Sequence, residues 1–126
     1  MRSRFTALKE RDLPWLAATR DGVLVGYAYA GLYRPRPAYR FTLEDSIYLA
    51  PDAIGTGIGR PLLSALIDAC RAVGCRNLMA IVGDSATNTG SVHLHTALGF
   101  EPVGTARNIG FKFDRWLDVM TLQKVL

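Results

Sequence analysis

The feature that most constrains this chain is a junction where three glycines at alternate positions, Gly55, Gly57 and Gly59, directly precede an amphipathic segment. Glycine permits backbone conformations closed to other residues and removes side chains that would obstruct an approaching molecule. The first turn of a helix exposes unpaired N–H groups at the positive end of the helix dipole. The junction therefore favours a site for an anion such as a pyrophosphate, although the glycines alone are also consistent with a flexible turn.

The segment after the glycines has the pattern of a helix that packs one face against a core. Its apolar residues recur every three or four positions, opposite a polar face. Pro61 suits the first turn and Gly74 suits the position just past the end, so the helix is predicted to end near residue 73. The predicted apolar face consists of Leu63, Leu66, Ile67, Cys70 and Val73.

Alternating and continuous apolar runs elsewhere predict strands, separated by segments rich in turn residues. A second, shorter helix is predicted at residues 91–98, capped by Ser91 and stopped by Gly99, and residues 108–115 are predicted to form a loop or turn. The order of elements indicates an α+β or α/β sheet with mixed pairing. The strands are predicted at residues 15–19, 23–33, 41–49, 78–82, 102–107 and 116–125.

The length of 126 residues and the apolar content of 49% predict one folded domain, residues 1–126. No run approaches the roughly 20 apolar residues that a membrane span requires. Charged residues at positions 9–12 interrupt any apolar core of a signal peptide. We therefore expect a cytoplasmic protein without a membrane segment.

The net charge of +4 favours an anionic partner. The basic side chains are scattered, and Arg34, Arg36 and Arg40 form the only local cluster. This distribution does not predict nucleic-acid binding, although a small basic nucleic-acid module stays open as an alternative.

The cysteines and histidines predict no metal site. Cys70 and Cys75 lack the spacing of a metal-binding or redox pair and are interpreted as reduced, packed thiols. His93 and His95 have no cysteine or carboxylate beside them at ligand spacing. His93 lies on a different helix face from His95 and is interpreted as structural or solvated.

Two common nucleotide motifs do not fit the glycine junction. A P-loop requires Gly-Lys-Ser/Thr, whereas Gly59 is followed by Arg60 and Pro61. A dinucleotide fold requires a third glycine that is absent here. Instead, GIGRPLL at residues 57–63 resembles the acyl-CoA pyrophosphate loop of the GNAT superfamily of N-acetyltransferases, and LHTALGF at residues 94–100 resembles its next motif.

Two further segments narrow the resemblance. TLEDSIYL at residues 42–49 and KFDRWLDV at residues 112–119 resemble the phosphinothricin and methionine sulfoximine N-acetyltransferases. The implied fold is a mixed, mostly antiparallel sheet with helices on both faces, here without the first strand and helices of the family. The implied activity is direct, metal-free transfer of an acetyl group from acetyl-CoA to a small amino-acid-like amine by a homodimeric enzyme. The alternative is a CoA-binding remnant with little or no catalytic activity.

The resemblance also implies catalytic residues. Glu44 matches the general base, which takes a proton from the amine through water. An exposed strand carboxylate, or a partner for Arg34 or Arg36, is the alternative. His95 matches a group that protonates the leaving thiolate or holds the acceptor. A packed core histidine is the alternative.

The remaining site residues follow from the same resemblance. Ile54 and Gly55 replace side chains with which other members contact the diphosphate, so backbone N–H groups carry more of the expected binding. Arg34, Arg36 and Tyr39 match acceptor-loop positions of the family, and arginine forks suit carboxylate or phosphinate groups. A solvated basic loop is the alternative. Lys112, Arg115 and Trp116 match the family pattern, but we assign them no role. The expected cofactor-binding residues are Ile47, Tyr48, Leu49, Gly55, Thr56, Gly57, Ile58, Gly59, Arg60, Asn88 and Ser91.

Overall fold

The computed structural model describes residues 13–126. The charged residues at positions 9–12, from which we argued against a signal peptide, lie outside these residues. The strands are β1 (Trp15–Arg20), β2 (Val23–Leu32), β3 (Thr42–Leu49), β4 (Asn77–Gly83), β5 (Glu101–Lys112) and β6 (Arg115–Val125). The helices are α1 (Gly59–Ala72) and α2 (Thr89–Ala97), with short 3₁₀ turns at Pro37–Tyr39 and Pro51–Ala53.

The six strands form one sheet in the order β1-β2-β3-β4-β6-β5. Only β3 and β4 pair in parallel, and the other neighbours are antiparallel. This mixed, mostly antiparallel sheet confirms the fold prediction. The pairing of β3 with β4 runs only from Thr42 to Glu44, opposite Asn77 to Met79. The two strands part beyond that point, and a gap opens in the middle of the sheet.

Both helices of the described residues lie on the same face of the sheet. A Cβ added at Gly26 of β2 would lie 3.4 Å from Leu62 Cδ2 of α1. On the same face of the neighbouring β3, Asp45 is hydrogen-bonded to His95 of α2. The prediction placed helices on both faces, whereas residues 13–126 supply them for one. None of these helices is long and apolar enough to cross a membrane.

The predicted apolar face of α1 forms the centre of the core. Leu63, Leu66 and Cys70 are fully buried, and Ile67 is nearly so, among apolar residues of β2, β3 and β4. Val73 is 47% exposed, because it caps the helix end instead of continuing the apolar stripe. Burial of this stripe removes apolar surface from water and fixes the start of α1 against the sheet.

The predicted loop or turn at residues 108–115 is wrong in its extent, because only residues 113–114 form a turn. Strand β5 continues to Lys112, which pairs with Arg115 of β6 across a two-residue turn. Both turn residues, Phe113 and Asp114, have positive φ, as the twist of a tight hairpin requires. Asn108, also at positive φ, lies in a register shift of the ladder. Phe-Asp is an unusual turn sequence, so the local residues gave no signal for the hairpin.

The second helix begins two residues earlier than predicted. It starts at Thr89 after the N-cap position Asn88, and neither Asn88 nor Ser91 caps it with a side-chain hydrogen bond. Ser91 instead lies within the first turn, where its backbone carbonyl accepts a hydrogen bond from the His95 ring. The predicted Ser91 cap is therefore wrong, because Ser91 is the third residue of the helix and not its N-cap.

Candidate active site

A cleft of about 540 Å³ lies where the end of β3 and the starts of both helices meet. The glycine-rich segment forms one wall, and the first turns of α2 form another. Eight of the expected cofactor-binding residues line this cleft: Ile47, Leu49, Gly55, Gly57, Gly59, Arg60, Asn88 and Ser91. Ile54, Gly90, His93 and Leu94 complete its lining.

The three glycines are required for two different reasons. Gly55 and Gly57 have φ of +79° and +85°, in the left-handed region that other residues rarely adopt. Space around both is open, so the requirement there is conformational. Gly59 has an ordinary φ, but a Cβ there would lie 3.3 Å from Leu94 Cδ2. Gly59 therefore allows the start of α1 to pack closely against α2.

The start of α1 presents backbone donors to the cleft. The helical hydrogen-bond ladder begins with the N–H of Leu62, which donates to the carbonyl of Ile58. The N–H groups of the residues before it therefore precede the ladder, at the positive end of the dipole. Thr56 is different: its N–H and its hydroxyl both donate to the carbonyl of Ala53. The Thr56 side chain therefore stabilises its own loop. Neither Thr56 nor Ile58, which were both expected to bind the cofactor, lines the cleft.

A second cavity of about 360 Å³ occupies the gap between β3 and β4. It shares Ile47, Asn88 and Ser91 with the cleft, so the two spaces adjoin along the same residues. Its lining includes the predicted general base Glu44, which is half-buried, and His95. The structure thus brings both predicted catalytic residues to the gap in the sheet.

His95 is buried and bonded through both ring nitrogens. Its Nε2 lies 2.9 Å from Asp45 Oδ1 and 3.1 Å from Oδ2, and its Nδ1 lies 2.7 Å from the carbonyl of Ser91. A carbonyl only accepts, so Nδ1–H donates to the Ser91 carbonyl, while Nε2 is hydrogen-bonded to the Asp45 carboxyl group. The side chains of His95 and Asp45 are only 2% and 3% exposed. This geometry favours the packed histidine and leaves no ring nitrogen for a ligand.

The buried pair determines the protonation of the ring. Burial disfavours the charged ring, but the hydrogen bond and charge of Asp45, with the Ser91 carbonyl, raise the pKa of His95 above its ordinary value. We did not identify Asp45 from the sequence. Strand alternation supplied the signal, because it places Asp45 on the helix-covered face, where a carboxylate requires a partner.

Two predicted groups lie apart from the cleft. Arg34, Arg36 and Tyr39 line a separate open pocket of about 470 Å³ that also includes Tyr33. Arg34 stacks its guanidinium 4.1 Å from the centre of the Tyr33 ring. Tyr48 lines the gap but not the cofactor cleft. Its ring stacks on that of Tyr27, on the sheet face away from the helices.

The sequence analysis did not place His93 in the site. His93 is exposed and lines the cleft together with Gly90 and Leu94. These residues are three and four positions apart and therefore share one helix face. The three-residue spacing between Gly90 and His93 could have indicated that they share a helix face. We considered only the helix faces of His93 and His95. Within residues 13–126 no group of three or more histidine, cysteine or carboxylate side chains could hold a metal ion.

Residues 2–100 match the Acetyltransferase (GNAT) family. The chain is 55% identical to a phosphinothricin N-acetyltransferase of Alcaligenes faecalis, over all of this chain and 64% of that protein. It is 39% identical to an L-methionine sulfoximine/L-methionine sulfone acetyltransferase of Salmonella typhimurium, over 87% of this chain and 63% of that protein. The chain thus spans somewhat less than two thirds of the length of these relatives.

A solved structure has the same arrangement of elements. The phosphinothricin acetyltransferase of Sinorhizobium meliloti, solved in complex with acetyl-CoA, superposes with a TM-score of 0.95 at 46% sequence identity. The superposition covers 100% of this chain and 68% of that one.

The raised pKa of His95 predicts how stability depends on pH. The folded pKa exceeds the unfolded value of about 6.5, so protonation of His95 stabilises the fold fully below pH 6.5. This contribution is lost as the pH rises through the folded pKa. We expect the free energy of unfolding to fall by up to about 1.4 kcal/mol per pH unit in that window.

Urea unfolding at several pH values measures this slope. The double variant Asp45→Asn, His95→Gln is the control, because amides replace both titrating groups. A hydrogen bond from Cys70 lowers the pKa of Cys75 to about 7, so Cys75 also titrates in this window. Because Cys75 is present in both proteins, the comparison isolates the pair of His95 and Asp45. Equal slopes for the wild type and the double variant above pH 6.5 would contradict the buried charged pair.

Proposed function

The chain belongs to the GNAT family of acetyltransferases, and from this premise we propose that it transfers an acetyl group from acetyl-CoA to the primary amine of a small amino-acid-like acceptor. The acceptor is of the phosphinothricin or methionine sulfoximine type, on which the named relatives act. One observation carries the proposal: the glycine-lined cleft and the gap between β3 and β4, where Glu44 lies, share the lining residues Ile47, Asn88 and Ser91.

The glycine-lined end of the cleft fits the diphosphate of coenzyme A. The backbone at Gly55 and Gly57 is open to an approaching group, because no atom lies within 4 Å of the position of a Cβ there. The start of α1 adds N–H donors, and Arg60 adds a positive charge to the lining. Backbone donors, a helix dipole and a guanidinium together suit a diphosphate.

The gap in the sheet fits the extended pantetheine arm. Because β3 and β4 part after Glu44 and Met79, backbone groups of β3 that face β4 are available to an added chain. Ile47 lines both the cleft and the gap, and Leu49 lines the cleft. Asn88 and Ser91 stand across from them on the loop before α2 and its first turn, where they are positioned to bind the same arm.

Glu44 is the proposed general base. Acetyl-CoA supplies the acetyl group as a thioester, which a neutral amine attacks without a covalent enzyme intermediate. An amine is protonated at neutral pH, so a group near the gap must first remove its proton. Glu44 lines the gap on the strand face opposite Asp45. Because it lies where the two reactants would meet, Glu44 is the group that we assign as the base, acting through water.

His95 is a positioning residue in this proposal. Its ring joins Asp45 of β3 to the backbone of Ser91 in α2. This link holds Ser91 and the preceding Asn88 at the boundary of the cleft and the gap. Proton transfer to the leaving thiolate, which the family resemblance implied for His95, would require a nitrogen that these bonds already occupy.

The exposed loop between β2 and β3 is the proposed acceptor-binding segment. Glu44 pairs with Gly31, so this loop follows within two residues of the strand position opposite the base. Arg34 and Arg36 are exposed there and can bind a carboxylate or phosphinate through paired N–H groups. Tyr39 lines the same pocket and limits the size of the acceptor side chain.

We propose a single cytoplasmic N-acetyltransferase domain that forms homodimers through the hairpin of β5 and β6. Strand β5 is at the sheet edge, and all but one of its residues are exposed. Exposed apolar side chains at a sheet edge favour association. The exposed large apolar residues of this hairpin are Val103, Ile109, Phe111, Phe113 and Trp116.

Sedimentation velocity tests this homodimer. We expect about twice the chain mass of 13.8 kDa, and a shift towards the monomer for the double variant Ile109→Ser, Phe111→Ser. Val23→Ser removes an equally exposed apolar side chain on β2 and should leave the mass unchanged. A monomeric wild type at micromolar concentration would contradict the proposal.

Calorimetry and a thiol-release assay test the activity itself. We expect saturable binding of acetyl-CoA, and release of the free thiol of coenzyme A on addition of phosphinothricin or methionine sulfoximine. The 2-hydroxy analogue of methionine sulfoximine has no amine and should release none. Absence of acetyl-CoA binding would overturn the proposal, and binding without turnover of either amine would favour the non-catalytic alternative.

Replacement of Glu44 tests the assigned base. Glu44→Gln should lower kcat/KM at neutral pH by about a hundredfold or more, because general base catalysis is lost. The dissociation constant of acetyl-CoA should stay nearly unchanged. Glu101→Gln removes an exposed carboxylate at the start of β5 and serves as the control. Turnover by Glu44→Gln at the wild-type rate would remove Glu44 from this role.

A further inference from the structure

Asp84 is the centre of a hydrogen-bond network just after β4. Its carboxylate accepts two hydrogen bonds from Arg115 of β6, with Nη1 3.1 Å from Oδ1 and Nη2 2.5 Å from Oδ2. The hydroxyl of Thr87 donates a third, to Oδ2 at 2.6 Å. Asp84 has φ of +52°, an uncommon conformation for a residue with a side chain. These contacts therefore hold the loop in a conformation that its backbone does not favour by itself.

The same network orders the backbone that leads to α2. The N–H groups of Thr87 and Asn88 both donate to the carbonyl of Asp84, at 3.1 and 2.8 Å. From the hairpin side, the carbonyl of Asp118 accepts the N–H of Ser85 at 3.2 Å. Residues 84–88 are thus held both by internal hydrogen bonds and by two contacts from β6.

This loop ends at the boundary of the proposed cofactor site. Asn88, its last residue, lines both the cleft and the gap and immediately precedes α2. We infer that Arg115 is a positioning residue for acetyl-CoA binding: its paired hydrogen bonds to Asp84 hold the loop that presents Asn88 and the first turn of α2 to the cofactor. This inference rests on the proposed function.

An arginine suits this task for a geometric reason. Two parallel N–H donors fix the orientation of a carboxylate, whereas a lysine ammonium provides only a point charge. The Arg115 side chain is 46% exposed and that of Asp84 is 27% exposed. An exposed pair of this kind adds little to global stability, so its loss should change the geometry of the loop more than the stability of the fold.

Calorimetric titration of the purified protein with acetyl-CoA tests the inference. Arg115→Ala and Arg115→Lys should each weaken binding by about five- to tenfold, with a matching rise in the KM for acetyl-CoA. The KM for the amine and the temperature of unfolding should change little. Arg71→Ala is the matched control, because it breaks another exposed arginine–aspartate pair, with Asp68 on α1, and should leave binding unchanged.

The double variant Asp84→Asn, Arg115→Ala separates a shared role from two independent ones. The double variant is compared with the single variants Asp84→Asn and Arg115→Ala. If both residues act through one contact, the double variant binds acetyl-CoA about as weakly as whichever single variant binds it less tightly. Wild-type affinity in both Arg115 variants, or a loss that merely follows a fall in unfolding temperature, would overturn the inference. Failure of the wild type to bind acetyl-CoA is a different result, because it would overturn the proposed function itself.

Discussion

The buried pair of His95 and Asp45 is the interaction on which the arrangement of the site depends. It lies where β3 leaves β4 and no sheet hydrogen bonds hold the two strands together. A buried carboxylate without its cation would be strongly destabilising, so α2 is confined to positions in which the ring reaches Asp45. The second ring nitrogen bonds the carbonyl of Ser91 and fixes the first turn of the helix. One side chain thereby sets the width of the gap and the wall of the cleft.

The pair also separates the charges of two neighbouring carboxylates. Glu44 and Asp45 are adjacent in sequence, but the alternation of a strand directs them to opposite faces. His95 balances the charge of Asp45 on the helix-covered face, whereas Glu44 lines the gap. At the other end of the cleft the start of α1 and Arg60 favour negative groups. The electrostatics therefore suit a long molecule with an anionic end and a reactive end.

The sequence predicted best the elements whose signal is local. The apolar stripe of α1, except for Val73, and the position of the glycines directly before this helix are confirmed, because both arise from residues close to one another in the sequence. The continuation of β5 past Asn108 was missed, since a bulge and the unusual turn at Phe113 depend on pairing with β6. The place of His93 in the lining of the cleft was also missed: the spacing from Gly90 indicates a shared helix face, but the cleft exists only once α2 packs beside the glycine segment.

By itself, the sequence determined most of the segments that form helices and strands, and it placed a glycine-rich turn before α1, because backbone sterics and side-chain periodicity act over a few residues. The tertiary structure alone decided which distant groups meet. Asp45 and His95 are 50 residues apart, and Asp84 and Arg115 are 31 apart. Such contacts depend on the order of strands and on the face to which each helix packs. The physical reason is that these side chains come within hydrogen-bond distance only after the sheet has assembled.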